Sequence, residues 1–171
     1  KLFLTILLSA GLTISGIGQR MSGLLLLNGN TLETKKRQIA SNDTLIRPAY
    51  TQLLVEADRL VKEGKVYSVM NKTPLPPSGD KHDYMSQAPY WWPDPTKPDG
   101  KPYIRKDGDR NPEINGITDH DQLGELIHDV ELLSLAYFYT GKEPYAQHTA
   151  RLLKTWFLDE KTKMNPHLNF G

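Results

Sequence analysis

Nine of the chain's 12 prolines fall within residues 71–117, a stretch in which an even spread would place about three. Proline fixes φ and removes a backbone donor, so neither a regular helix nor a central strand can run through such a segment. We read it as one long structured loop. It carries seven basic and seven acidic residues and five aromatics, including the adjacent Trp91 and Trp92. That balance lacks the high-charge, aromatic-poor signature of a disordered linker. Long loops in compact domains are functional or disordered, and this composition favours the first.

The flanking sequence is helical. Thr31 opens a short charged helix that runs to about Ala40. In the next helix Pro48 suits the first turn, Tyr50, Leu53, Leu54, Ala57, Leu60 and Val61 recur at three- and four-residue spacing, and Gly64 supplies the stop. After the loop, Thr118 reads as an N-cap with Asp121 three residues on, and Leu123, Leu126, Ile127, Val130, Leu133 and Tyr137 mark one face. Gly141 ends that helix and Pro144 starts another, whose stripe is read as Ala146, Thr149, Ala150, Leu153, Trp156 and Phe157. The short link makes these two helices an antiparallel αα-hairpin. No credible strand run competes; residues 66–69 are the only short extended candidate. The expected class is all-α, and hairpins that each present one apolar face bury it against neighbours, as in solenoids and toroids. With about four helices the chain is too short to close a ring and is expected to leave apolar surface uncovered.

Residues 2–17 carry no charge, follow Lys1 and lead into Gly16-Ile17-Gly18, a small-x-small spacing. We read residues 1–18 as a secretory signal peptide, with a buried first helix as the alternative, and residues 19–171 as the domain. The run is too short and too rich in Gly, Ser and Thr for a stable membrane span. The expected location is periplasmic or secreted. A start at Lys1 without Met, and a stop at Asn169-Phe170-Gly171 without a polar tail, suggest a sequence trimmed at both ends. Zero cysteines exclude disulfides, thiolate metal sites and thiol nucleophiles, and a net charge of +1 gives no general footprint for nucleic acid.

The residues most suited to chemistry lie in the loop. Tyr84, Tyr90, Trp91 and Trp92 offer flat faces on which sugar rings stack, while Lys81, His82 and Arg105 can meet a carboxylate. That mixture suits an acidic polysaccharide. The alternative for the aromatics is a local mini-core pinned by Pro89, Pro93 and Pro95. Asp80, His82 and Asp83 are adjacent on an irregular loop without a second His-rich spacing, so no metal is expected. Asp107-Gly108-Asp109 reads as a turn. His120 and His128, with Asp119, Asp121, Glu125, Asp129 and Glu131, read as a solvated helix face, and His148 receives no role.

Residues 78–113, SGDKHDYMSQAPYWWPDPTKPDGKPYIRKDGDRNPE, resemble the signature of the alginate-lyase-like superfamily of polysaccharide lyases. Residues 135–159, LAYFYTGKEPYAQHTARLLKTWFLD, and 164–170, MNPHLNF, are similar to the same family. The resemblance implies an incomplete or complete (α/α) toroid, here the N-terminal portion, and cleavage of uronate-containing polysaccharides such as alginate or glucuronan by β-elimination. It implies no cofactor. It places the base and the leaving-group acid mainly on helices beyond residue 171, so no catalytic residue is carried over. What it implies for this chain is groove-lining by Lys81, His82, Tyr84, Tyr90, Trp91 and Trp92, with Asn165, His167 and Asn169 as further candidates. Loop capping is the other reading of Asn165 and Asn169.

Two other functional classes fit the composition. A glycoside hydrolase on a similar helical scaffold needs two carboxylates about 5 to 9.5 Å apart across the scissile bond, and Asp83 and Asp94 are available. A non-catalytic binder of acidic glycan needs only the aromatic loop.

Overall fold

The computed structural model describes residues 27–171. The signal-like stretch at residues 1–18 lies outside them. Residues up to Asp43 form one compact unit and Thr44–Gly171 a second. The first contributes helix α1, Gly29–Ala40, which begins two residues earlier than its sequence suggests because the Asn28 side chain accepts the Thr31 N–H at 3.1 Å. None of the α1 residues is buried.

The second unit is built on three helices. α2 spans Arg47–Glu63, with Pro48 in its first turn and Gly64 closing it in the left-handed conformation, its N–H bonded to the Leu60 carbonyl. α3 spans Asp119–Thr140 and ends at Gly141, also left-handed. α4 spans Glu143–Phe157, so the connection is as tight as the sequence implies. α3 packs against both α2 and α4, and α2 touches α4. The class is all-α. Among the described residues no helix is long and apolar enough to cross a membrane.

Ala57 and Leu60 of α2, Leu126, Leu133 and Ala136 of α3, and Tyr145, Leu152 and Trp156 of α4 form the core, joined by Tyr67, Val69 and Tyr84 from outside the helices. Two phenols carry their polar ends inside by pairing with carboxylates. Tyr145 Oη donates to Asp58 across α4 and α2, and Tyr67 Oη donates to Asp129 on α3, both at 2.6 Å. Burial, reinforced by the neighbouring carboxylate, pushes Tyr145 up to about 12 and Tyr67 further still.

The structure corrects three elements: α4, α3 with its N-cap, and the strands. On α4 the buried stripe is Tyr145, His148, Leu152 and Trp156, whereas Leu153 and Phe157 are 38% and 49% exposed. Both stripes contain Trp156; the helix turns by one residue because the Tyr145 ring, once its hydroxyl is bonded, is the larger apolar body to bury. On α3, Ile127 and Tyr137 are exposed and Ala136 is buried, while Asp119 and Asp129 leave the solvated face and enter the interior. Thr118 makes no side-chain cap; its Oγ1 instead accepts from Gln122 Nε2 at 2.8 Å.

The third correction concerns strands. Trp91–Trp92 (β1) pairs antiparallel with Ile104–Arg105 (β2), Trp91 opposite Arg105 and Trp92 opposite Ile104. Two residues per strand are too few to show alternation, and prolines flank both, so no run announces them. Residues 66–69 join no ladder; Val69–Asn71 forms a 3-10 turn, and Pro112–Gly116 forms another before α3.

Candidate functional site

The loop of residues 71–117 is anchored from beneath by a buried charge. Lys72 follows the first 3-10 turn, and its ammonium donates to the Val69 carbonyl at 2.8 Å, the Lys81 carbonyl at 2.7 Å and Asp119 Oδ2 at 2.9 Å. Those three partners use all the donors that an ammonium has. Asp119 Oδ2 also accepts the Met85 N–H at 3.0 Å, while its Oδ1 is buried without a partner. Burial pushes the Asp119 carboxyl up, against the pull of Lys72 and the Met85 N–H. Residues 69, 81 and 85 are thereby tied to the first turn of α3.

Above this anchor, residues 80–86 run beside residues 163–170. Ser86 N–H donates to the Phe170 carbonyl at 2.9 Å, Met85 and Phe170 form a parallel bridge, and Asn165 N–H donates to the His82 carbonyl at 3.0 Å. Side chains complete the seam around Asp83, which is 4% exposed. Asp83 Oδ1 accepts from Asn165 Nδ2 at 2.6 Å and faces His167 Nε2 at 3.0 Å, and its Oδ2 accepts from Ser78 at 2.6 Å. Asn165 Nδ2 also reaches Asp80 Oδ2 at 3.0 Å. The Asn165 and Ser78 hydrogen bonds hold the Asp83 carboxyl below its ordinary value; the His82 N–H and Asn165 do the same for Asp80.

The two seam histidines are oriented differently. His82 Nδ1 lies 2.7 Å from the Lys163 carbonyl, which can only accept, so Nδ1 carries the proton and a neutral His82 keeps its lone pair on Nε2. His167 turns Nε2 toward the ionised Asp83, and its Nδ1 is buried without a partner.

The hairpin forms an aromatic ledge. Tyr90 is 41% and Trp91 42% exposed. The Trp91 carbonyl accepts from Asn111 Nδ2 at 2.8 Å and Gln87 Nε2 at 3.2 Å, and the buried Asn111 donates its own N–H to the Pro89 carbonyl at 2.7 Å. Trp92 is tied down more closely: Nε1 donates to the Asp109 carbonyl at 2.8 Å and the Lys106 ammonium lies 4.9 Å from its ring centroid. At the turn, Gly100 adopts φ +68° against Pro93, where an added Cβ would lie 2.8 Å from the proline ring, so only glycine fits.

The candidate residues thus fall into two groups. Lys81, His82, Asn165 and His167 meet at the seam, with Asn169 exposed on the same tail segment. Tyr90, Trp91, Trp92 and Arg105 share the hairpin, where Arg105 Nε pairs with Asp107 at 2.6 Å, both side chains exposed. Tyr84 departs from expectation: it is 7% exposed and its ring belongs to the core, so it offers no face for stacking. Lys72, Asp119 and Asn111, which hold the loop in shape, carry no local sequence signal. Asp80 and Asp83 are committed to hydrogen bonds within the seam, and no cluster of three His, Cys, Asp or Glu able to hold a metal occurs among the described residues.

The family model described as alginate lyase matches residues 68–171, from the segment before the loop through to the seam. The chain belongs to that family. A crystal structure of an alginate lyase from Bacteroides ovatus shares 50% sequence identity with it and superposes with a TM-score of 0.70, over 83% of this chain and 36% of the other. The chain therefore spans little more than a third of that lyase's length. The comparison with curated proteins found no match. The matched residues of the alginate lyase family contain the ledge, the seam and the Lys72–Asp119 anchor together.

Proposed function

We propose that this chain is part of a polysaccharide lyase that cleaves a uronate-containing polysaccharide of the alginate or glucuronan type by β-elimination, and that it supplies part of the substrate groove. The family match and the likeness to the Bacteroides ovatus alginate lyase support this reading. The observation that carries it at the site is the exposed, backbone-anchored Tyr90–Trp91 ledge on a loop that also presents Lys81 and His82. Sugar rings stack on such faces, and a uronate carboxylate needs cationic or hydrogen-bonding partners.

In β-elimination the C5 proton is weakly acidic. An enzyme must neutralise the adjacent carboxylate, remove the proton with a positioned base and protonate the departing O4. The chain's contribution lies in binding and neutralisation; the base and the acid belong to helices that complete an (α/α) toroid in the whole protein. Residues 1–18 support export to the periplasm or beyond. The hydrolase reading loses ground because Asp83 is saturated by Asn165, His167 and Ser78, while Asp94 Oδ1 accepts from the backbone and hydroxyl of Thr96.

The test is incubation of the complete protein with alginate, glucuronan and glycosaminoglycans. Products with an unsaturated uronate end support elimination. Saturated ends would mean hydrolysis, and binding without turnover would mean a glycan-binding protein.

A further inference from the structure

The hydrogen bond from His82 Nδ1–H to the Lys163 carbonyl survives whichever charge the ring carries, because Nδ1 keeps its proton in both imidazole and imidazolium and the charged form only strengthens it. Protonation of Nε2 therefore breaks nothing in the seam. The neighbouring charges are already engaged. Asp80 Oδ1 takes the backbone N–H of His82 and Oδ2 takes Asn165; Asp83 is held by Asn165, His167 and Ser78; and the Lys163 ammonium pairs with Glu160 at 2.7 Å. Among the described residues no carboxylate pairs with His82 Nε2, and the adjacent Lys81 contributes positive charge alone. A carboxylate arriving at this nitrogen meets a lone pair when the ring is neutral and a donor when it is charged.

We propose that His82 couples substrate binding to proton uptake: a uronate carboxylate docking at Nε2 draws one proton from bulk solvent onto that nitrogen. The resulting imidazolium donates Nε2–H to the carboxylate while Nδ1–H stays on the Lys163 carbonyl. This rests on the acidic-polysaccharide reading above and adds to it a proton as co-ligand. Affinity then falls as pH rises, by at most about tenfold per pH unit, since one proton is taken up.

The experiment is calorimetric titration of the complete protein with a short alginate oligosaccharide at about pH 7.5 in two buffers of different ionisation enthalpy. The expected result is a heat that differs between buffers by a fraction of one proton, vanishes for the carboxyl-reduced oligosaccharide and vanishes in His82→Gln. The uptake should persist in His167→Gln, which removes the neighbouring imidazole. Buffer-independent heat with clear binding would overturn the proton coupling and leave the polysaccharide reading standing. Undiminished uptake in His82→Gln would also overturn it. Failure of the wild-type complete protein to bind any uronate oligosaccharide would overturn both.

Discussion

Lys72 Nζ lies 2.9 Å from Asp119 Oδ2, and neither side chain has any solvent exposure. The pair joins the start of the proline-rich loop to the first turn of α3, and it binds residues 69, 81 and 85 to the same point. Removing one member strands a charge in the interior, which costs about 3 to 5 kcal/mol, whereas replacing both by apolar groups is often nearly neutral. We expect Lys72→Met to lower stability by about that amount and Lys72→Met/Asp119→Leu to recover only part of it, because the Val69 and Lys81 carbonyls and the Met85 N–H lose these partners. Denaturant melts of the two variants check this; a single variant as stable as wild type would refute the anchoring role.

The ledge and the core aromatic should separate cleanly. Trp91→Ala removes a ring that is 42% exposed and should cost about 1 to 2 kcal/mol of stability, less than a core position, while weakening binding to alginate oligosaccharide. Tyr84→Ala empties a core position and should cost about 3 kcal/mol. Paired thermal melts and binding titrations distinguish them, and a Tm that drops equally in both would contradict the assignment.

Adjacent residues on α4 test its register. Trp156 is fully buried and Phe157 is 49% exposed. Trp156→Ala should cost about 3 to 5 kcal/mol, and Phe157→Ala about 1 to 2 kcal/mol. A cost for Phe157→Ala as large as that for Trp156→Ala in urea melts would restore the stripe expected from periodicity.

His148 is 7% exposed, and burial, followed by the nearby Arg151, lowers its pKa against a weaker opposing pull from Asp129. The unfolded chain then binds the proton more readily than the folded one. Stability should fall as pH drops through about 6.5, and His148→Leu should flatten that part of the profile. Chemical melts between about pH 5 and pH 8 measure the slope.

In acid the seam should respond next. Asp80 and Asp83 have lowered pKa values in the folded chain, so their contribution is full above the unfolded carboxylate value of about 3.9 and is lost as pH falls below it. Asp83→Asn should give a shallower acid limb, read by circular dichroism. An unchanged limb would mean that the carboxylate contributes nothing to the contact with Asn165 and His167.

Much of this architecture was legible before any coordinates. Pro48, Gly64, Gly141 and Pro144 mark helix ends by backbone chemistry alone, and the structure places the ends of α2, α3 and α4 there. Faces were harder. Tyr145 and His148 score as polar in a periodicity count, yet their rings fill the interface, so the buried side of α4 was displaced by one residue. Asp119 and Asp129 look like any acidic helix surface until Lys72 and Tyr67 arrive from distant sequence. The aromatic composition of the loop pointed to the ledge, but nothing local separates Tyr84 from Tyr90, because their difference in exposure is decided by what packs above them. The convergence of Asp80, Asp83, Asn165 and His167 joins segments more than eighty residues apart and has no signature in either one.

The carbonyl of Trp91 is gripped by two side-chain amides, those of Asn111 and Gln87, before any ligand is present. Backbone held in this way has little conformational freedom left to lose on contact. Ordering backbone costs about 1 to 2 kcal/mol per residue, and here that ordering is completed during folding. The ledge should therefore capture a sugar without a preceding rearrangement, with an association rate set by encounter and a residence time set by the stacking itself.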